Sequence, residues 1–427
     1  MTMEAKKSIL KGDKYLWGTY FALCFVSVIS MYSASGTLSY GSGDTFDPVL
    51  RHALFLAVGT LLVYAIHCVH YKWFRLVGFP LLVVACVMLI YALFFGERIN
   101  AAARWISVFG IRLQPSELAK MGVVITISYF LAKGQCESGV DAKAFKKTLL
   151  AILVPCLLIF TENLSTTLLI GTMAFCMMLI AGVSLKKLGL LLVLVLAFVS
   201  GVLFAANKLD TKSADEQKRN LFTKVVHRAN TWNERLEFFS DKETMPEYFK
   251  ATVDDNYQSH HACMAIANSH GIGVGPGNSR ERDFLPQAYS DFIYAIIIEE
   301  FGILGGLLVM FLYLSILFRA LRNAKKCTHA FPAFLILGIA MLIVFQAIIN
   351  MAVATSLIPV TGQPLPLISR GGTSVVITCC YFGMMLSISR YATVEEGNGE
   401  LNDENVVKSV EGPIPEDISA PNPNLTD

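Results

Sequence analysis

The sequence predicts an all-α polytopic membrane protein with about ten transmembrane helices. Three observations lead to this fold class. Of the 427 residues, 54% are hydrophobic and only 16% are charged, a balance typical of membrane proteins. About ten apolar runs approach the roughly 20 residues that a helix needs to cross a bilayer. The lysines and arginines gather in short clusters between these runs, which argues against a basic surface for nucleic acid.

The apolar runs place the helices in chain order. The first run follows a lysine-rich cytoplasmic segment, residues 1–14. It is longer than the roughly 7–15 apolar residues of a signal peptide, so we expect it to remain in the membrane. The transmembrane domain extends over residues 15–390. Its predicted helices cover residues 15–34, 52–69, 74–95, 117–132, 147–163, 165–182, 187–206, 291–318, 331–354 and 366–389.

The distribution of basic residues orients the helices. Lysine and arginine clusters occupy alternate connections, which the positive-inside rule assigns to the cytoplasm together with both termini. The longest connection, residues 207–290, then faces outward as one large extracytoplasmic loop. Residues 391–427 are acidic and then proline-rich, which predicts a disordered cytoplasmic tail. The basic clusters are Lys72/Arg75, Lys133/Lys143/Lys146/Lys147, Lys186/Lys187 and Arg319/Arg322/Lys325/Lys326.

Two features of the long loop carry no chemistry in this interpretation. The glycine-rich stretch at residues 270–280 lacks the preceding strand of a dinucleotide-binding fold, so we predict a flexible external turn. The nearby His260, His261 and His270 lack matching cysteine or carboxylate spacing and are interpreted as surface histidines. No metal ligands are assigned.

Carboxylates stand at the entry of the eighth apolar run. Each ionised side chain near mid-bilayer costs about 2.5–3.5 kcal/mol. Asp291, at the outer mouth, is either a first-turn acid or a general base reached by a substrate hydroxyl. Glu299 and Glu300 cannot both share its helix face at about 100° per residue. We expect this pair to be structural, tying the helix to a neighbour through Asn350, Gln346 or a cation.

Basic residues lie on the same predicted outer side. In "NAAARWISVFGIRLQPSELAKMG", Arg104 beside Trp105 suits either an interfacial anchor or a bidentate grip on a phosphate. Glu117 and Lys120 are spaced i, i+3 and can pair on one helix face. The stretch "VTGQPLPLISRGGTS" predicts irregular backbone that is buried in protein or lines a wet cavity, so we expect it to help wall a pocket. Arg370, among glycines with free backbone N–H groups, is suited to binding an anion there.

The chain resembles the SEDS family of polytopic peptidoglycan glycosyltransferases, and its FtsW branch more than its RodA branch. The resemblance covers about residues 15–390. It rests on three stretches in the same order as in the family: "RWISVFGIRLQPSELAK", "GNSRERDFLPQAYSDFIYAIIIEEFGILGG" and "PVTGQPLPLISRGGTS". Three stretches depart from the family pattern: Tyr289 and Ser290 replace a His-Thr pair, "TENLST" replaces a Pro-Asp-x-Gly-Thr motif, and Arg370 replaces what is usually tyrosine or another uncharged residue.

The resemblance implies polymerisation of lipid II into β-1,4-linked glycan strands at the outer face of the bacterial cytoplasmic membrane, at the division septum. Asp291 matches the family's catalytic aspartate and would act as the general base. The residues that match the family's motifs and would bind the substrate are Arg104, Trp105, Glu117 and Lys120. Arg370 is a further candidate.

The resemblance also implies partners: a class B penicillin-binding protein that supplies the transpeptidase, and other division proteins. Cofactor use stays open, with a divalent cation such as Mg²⁺ or Mn²⁺ as the candidate. Two other functions are weighed against the enzyme: a lipid II flippase and a non-catalytic division scaffold. The clustering of the candidate site residues on one side of the membrane favours surface chemistry over transport.

Overall fold

The computed structural model describes residues 10–34, 46–99, 102–108, 111–137, 139–160, 163–208, 254–285 and 288–410. Within them the chain is helical almost throughout, as predicted, and a helix overlaps each of the ten predicted spans. The helices are α1 (Lys14–Ala34), α2 (Phe46–Cys68), α3 (Phe74–Phe95), α4 (Pro115–Lys133), α5 (Ala142–Phe160), α6 (Leu164–Ile180), α7 (Leu185–Lys208), α8 (Asp254–Asn268), α9 (Ile293–Lys325), α10 (Ala330–Ala354) and α11 (Gly372–Val410).

Six helices of the described residues are long and apolar enough to cross a membrane: α1, α2, α3, α9, α10 and the first part of α11. The shorter α6 is also apolar. An integral membrane protein is thereby supported, and the count of ten spanning helices stays a prediction.

Short strands accompany the helices, which the prediction of an all-α chain did not include. The strands β1 (Glu97–Ile99), β2 (Ala102–Val108) and β3 (Ile111–Leu113) form an antiparallel sheet between α3 and α4. A two-stranded ribbon, β4 (Gln135–Cys136) and β5 (Gly139–Val140), connects α4 to α5. The β2–β3 hairpin pairs Ser107 with Arg112. It holds the connection before α4 close to the bundle.

The centre of the bundle is formed by α4, α10 and the first part of α11. The apolar windows of α10 and α11 are each 72% buried, whereas those of α2, α3 and α9 are 22–28% buried. Small residues permit close helix packing, as in many membrane proteins. A Cβ atom added at Gly122 of α4 would lie 2.8 Å from the Leu82 Cα of α3. The outer helices therefore present their remaining apolar surface to the lipid.

The N-terminal end of the described chain contacts α9 and α11 on one side of the bundle. Asp13 accepts hydrogen bonds from Arg319 (2.7 Å) and Asn323 (2.9 Å) near the end of α9. The Asp13 amide donates to Ser389 Oγ of α11 at 3.0 Å. These contacts agree with the prediction that the N-terminus and the α9–α10 connection share one face.

Helix α9 is broken at Gly302, which has φ 69° and ψ −173°. The break leaves backbone groups without helical partners, and residues 270–280, here called the glycine loop, satisfy them. Val274 and Gly275 donate to the carbonyls of Glu299 (3.0 Å) and Glu300 (2.9 Å). The predicted turn is present, and backbone hydrogen bonds attach it to the helix at Val274 and Gly275; its flexibility and its external position stay predictions.

Two predicted segments are described only in part. Helix α11 continues to Val410, beyond residue 391, at which the sequence predicts the start of a disordered tail. Residues 411–427 lie outside the described residues, as do residues 209–253 of the long predicted extracytoplasmic loop. The boundaries assigned to these segments stay predictions.

Replacement of Gly302 by alanine is expected to destabilise the protein. The backbone conformation alone costs a non-glycine residue about 1–3 kcal/mol. In addition, the new Cβ would lie 2.5 Å from the Gly271 carbonyl oxygen. Gly171→Ala in α6 is the matched control, since a Cβ there meets nothing within 4 Å. Thermal unfolding in detergent measures the difference. Equal midpoints for the two variants would contradict the account of the break.

Candidate active site

Asp291 lies in the turn that precedes α9, and its side chain is half-buried. The Ser290 hydroxyl donates to Asp291 Oδ1 at 3.1 Å. The Asn350 amide donates to the Asp291 carbonyl oxygen at 2.8 Å. Phe292, the next residue, is completely buried. The carboxylate therefore stands at the point where the chain passes from a partly exposed turn into the core, with its backbone held in place.

The irregular segment between α10 and α11, residues 355–371, packs against this turn. Ser369 Oγ donates to the Ser290 carbonyl at 2.6 Å, and the Arg370 amide donates to the Tyr289 carbonyl at 2.9 Å. Most of residues 363–369 are buried, as expected for irregular backbone within a bundle. The turn and the segment thus form one unit.

Arg370 brings a positive charge to the same unit. Its guanidinium carbon lies 5.3 Å from the centroid of the Tyr289 ring, and the side chain is half-buried. No carboxylate of the described residues forms an ion pair with it. A cation held by an aromatic ring and lacking such an ion pair suits a phosphate or diphosphate group.

The β2–β3 hairpin adjoins the start of α11. Thr373 Oγ1, three residues after Arg370, donates to the Arg112 carbonyl at 3.3 Å. Trp105 is half-buried, and its neighbour Ile106 is buried. Arg104 belongs to β2, but its side chain lies outside what the structure describes. The hairpin therefore borders the candidate site, and phosphate binding by Arg104 stays a prediction.

Glu117 and Lys120 form the ion pair that their spacing predicts. Lys120 Nζ lies 2.8 Å from Glu117 Oε1 and donates to Gln346 Oε1 at 2.7 Å. Gln346 in turn donates to the Pro364 carbonyl at 2.9 Å. Lys120 is 0% exposed. The pair thus connects α4, through Gln346 of α10, to the 355–371 segment. Direct contact of either residue with a substrate stays a prediction.

Asn350 joins the Asp291 turn to the same segment. Its Nδ2 group donates both to the Asp291 carbonyl and to the Gln363 carbonyl, each at 2.8 Å. Gln363 donates to Thr166 Oγ1 of α6 at 2.9 Å. The buried Asn350 Oδ1 accepts no hydrogen bond from the described residues. Asn350 therefore positions the backbone that carries the candidate base.

Glu299 is completely buried, and its partners differ from the predicted ones. We expected Asn350, Gln346 or a cation. Instead, the backbone amides of Arg280 (3.1 Å) and Glu281 (3.4 Å) donate to Glu299 Oε1, and the Ser279 hydroxyl donates to Oε2.

Glu300 is 2% exposed and uses the same loop. Its Oε1 accepts from the amides of Gly277 (3.0 Å) and Ser279 (3.4 Å) and from the Ser33 hydroxyl of α1. Charge-assisted hydrogen bonds to several N–H groups offset the desolvation of a carboxylate. The two glutamates therefore bind the loop that precedes the candidate site, which supports the predicted structural role.

The sequence reasoning overlooked several of these contacts. Contacts between distant segments leave no pattern in a sequence: Ser369 donates to the Ser290 carbonyl, Asn350 to the Gln363 carbonyl, and Gln363 to the Thr166 hydroxyl. Tyr289 was noted only as a departure from the family motif, although an aromatic residue beside a candidate cation site is a usable signal. No group of three or more His, Cys, Asp or Glu side chains within the described ranges could hold a metal ion. A role for Mg²⁺ or Mn²⁺ stays a prediction.

The chain is similar in sequence to known proteins over nearly its whole length. The family model for the FtsW, RodA and SpoVE proteins, described as "Cell cycle protein", matches residues 13–394. A probable peptidoglycan glycosyltransferase FtsW of Hahella chejuensis is 30% identical over 406 residues, covering 93% of this chain and 95% of its own. The corresponding protein of Saccharophagus degradans is 32% identical over 406 residues, with 92% and 94% covered. Stage V sporulation protein E of Bacillus subtilis is 29% identical over 377 residues, with 87% and 94% covered.

Solved structures share the fold. A chain from a peptidoglycan synthase complex superposes with a TM-score of 0.67 at 20% identity, covering 89% of this chain and 98% of that one. The rod shape determining protein RodA of Thermus thermophilus gives a TM-score of 0.59 at 19% identity, with 89% and 97% covered. At such identities the likeness is one of fold.

The buried ion pair allows a test of its supporting role. Lys120→Met should destabilise the protein by about 3–5 kcal/mol, because it leaves the Glu117 carboxylate buried without its partner. The double variant Lys120→Met with Glu117→Gln removes both charges and should recover much of that loss. Thermal unfolding in detergent measures both. A double variant as unstable as the single one would show that the charge pair is not what matters.

Proposed function

The chain belongs to the FtsW/RodA/SpoVE family of cell cycle proteins, and from that premise we propose that it is a peptidoglycan glycosyltransferase of septal cell-wall synthesis. It polymerises lipid II into β-1,4-linked glycan strands at the outer face of the cytoplasmic membrane. The single observation that carries the catalytic part is the position of Asp291: a half-buried carboxylate on a fixed turn, in the same structural unit as an arginine that makes no ion pair with a described carboxylate.

In the proposed reaction Asp291 acts as the general base. Its carboxylate takes the proton from the 4-hydroxyl of the acceptor sugar as that oxygen bonds to the anomeric carbon of the donor. The bond from that carbon to the diphosphate breaks, and undecaprenyl diphosphate leaves with the bonding electrons. The hydrogen bond from Ser290 and the anchored backbone orient the carboxylate toward the acceptor.

Arg370 is the proposed partner of the departing diphosphate. The charge that develops on the leaving group is stabilised by preorganised cations, which cost little reorganisation at the moment of reaction. The backbone of Arg370 is tied to Tyr289, two residues before Asp291, so the cation and the base keep a constant relation. Arg104, Trp105, Glu117 and Lys120 are proposed to assist substrate binding from the hairpin side and from behind the 355–371 segment.

The protein works with a penicillin-binding protein in this proposal. The fold neighbour with the higher TM-score comes from a complex whose description joins polymerisation to crosslinking. We propose that a class B penicillin-binding protein supplies the crosslinking and that further division proteins bring the pair to the septum. A requirement for a divalent cation is testable in the same reconstituted system by adding a chelator.

The decisive variant is Asp291→Asn. We expect the rate of glycan polymerisation from purified lipid II, with the partner present, to fall at least about a hundredfold, since a positioned general base contributes about 10²–10⁴. Asp47→Asn is the matched control, because among the described residues Asp47 forms an ion pair with Arg51 alone, and that pair is exposed. Polymer yield on gels measures both variants. Normal polymer from Asp291→Asn would end the general-base assignment, and lipid II transport without polymer would favour a flippase.

Arg370 provides a second test, with a graded outcome. Arg370→Gln should raise KM for lipid II and lower kcat, because it removes a charge that acts on the diphosphate in both the bound and transition states. Arg370→Lys should recover part of the activity, since it keeps the charge but loses the planar fork. Initial rates over a range of lipid II concentrations separate the two parameters. Full activity of Arg370→Gln would place the leaving-group contact elsewhere.

A further inference from the structure

A basic pocket lies at the end of the bundle opposite the candidate active site. It forms where α3 and α10 begin and where α4 ends, and the other ends of these helices lead to the hairpin and to Asn350. The cavity measures about 350 Å³, a size typical of sites for small ligands. The lining residues used in the argument are Lys72, Arg75, Lys133, His329, Tyr129 and Phe331.

The pocket concentrates positive charge without a balancing acid. None of its lining residues is an aspartate or a glutamate. Among the described residues, no carboxylate forms an ion pair with Lys72, Arg75 or Lys133. Lys133 instead lies 5.9 Å from the centre of the Tyr129 ring. Cations around one cavity repel each other, so an anion that enters it is favoured.

The start of α10 adds to this preference. His329 is its N-cap residue, and no side chain caps the helix there. The first amides of the 25-residue helix point toward its N-terminal end, where the helix dipole favours negative charge. The helix dipole therefore adds to the attraction that the two lysines and the arginine exert on an anion.

The surroundings of the pocket indicate a lipid rather than a soluble anion. Trp73 and Leu76, beside the lining residues Lys72 and Arg75, are 62% and 59% exposed. On a helix of a membrane protein such side chains face acyl chains or the headgroup boundary. Three connections that the charge pattern assigns to the cytoplasm meet here, and the cytoplasmic leaflet is rich in anionic lipids. A headgroup in the pocket can therefore leave its acyl chains along α3.

We propose that this pocket binds the phosphate of an anionic phospholipid from the cytoplasmic leaflet. The cations and the α10 amides hold the phosphate. Tyr129 and Phe331 contribute aromatic side chains to the pocket lining. The site is distinct from the one that holds lipid II in the proposed reaction.

The test measures lipid binding to the purified full-length protein in neutral detergent by native mass spectrometry. The probes are phosphatidylglycerol and cardiolipin, with phosphatidylcholine as the neutral reference. The triple variant Lys72→Gln/Arg75→Gln/Lys133→Gln should raise the apparent Kd for phosphatidylglycerol roughly one hundredfold, with each cation contributing several-fold. The charge-conserving triple variant Lys72→Arg/Arg75→Lys/Lys133→Arg should retain binding, which separates the effect of charge from an effect on folding.

A matched control removes three exposed lysines of the same predicted face that do not line the pocket, Lys143, Lys146 and Lys147. Its Kd should change only a few-fold. The proposal is overturned if this control loses binding as strongly as the pocket variant, if the pocket variant binds like the unaltered protein, or if phosphatidylcholine binds equally well. Displacement of the lipid by inorganic phosphate at equal concentration would reassign the pocket to a soluble anion and overturn the lipid assignment.

Discussion

The structure depends on one constraint: ionised carboxylates inside an apolar bundle must find hydrogen-bond donors within the protein. Glu299 and Glu300 meet it with backbone amides of the glycine loop, and Glu300 also with Ser33 of α1. The break at Gly302 belongs to the same solution, because it frees two helix carbonyls for amides of that loop. The glycine loop, α1 and the part of α9 that follows the Asp291 turn are thereby fixed to one another.

A second chain of buried polar contacts supports the other side of that turn. It runs from the Glu117–Lys120 pair through Gln346 to the 355–371 segment, and Asn350 connects the segment to the Asp291 backbone. Rigid support of this kind matters for chemistry, since small displacements of a catalytic group are costly in rate. Most of the polar residues near the site thus hold others in place, while Asp291 and Arg370 stay half-buried.

Sequence reasoning predicted the helical architecture well because apolar length and hydropathy are local properties. It predicted the Glu117–Lys120 pair for the same reason, as helical spacing alone brings the two side chains together. It mistook the partners of Glu299 and Glu300, since amide donors of a distant loop have no signature in residue identity. It also overlooked the hairpin around Trp105, where seven strand residues in β2 are too few to stand out beside helices of about 20.

The contacts of Asp13 with α9 and α11 have a consequence for biogenesis. Its partners Arg319 and Ser389 are separated from it by 306 and 376 positions. During synthesis the first helix is inserted long before either partner has left the ribosome, so Asp13 must remain hydrated at the membrane surface meanwhile. The Ser389 contact can therefore form only after α11 has been synthesised. A polypeptide truncated before α11 would keep the contacts of Asp13 with Arg319 and Asn323 but would lack the one with Ser389.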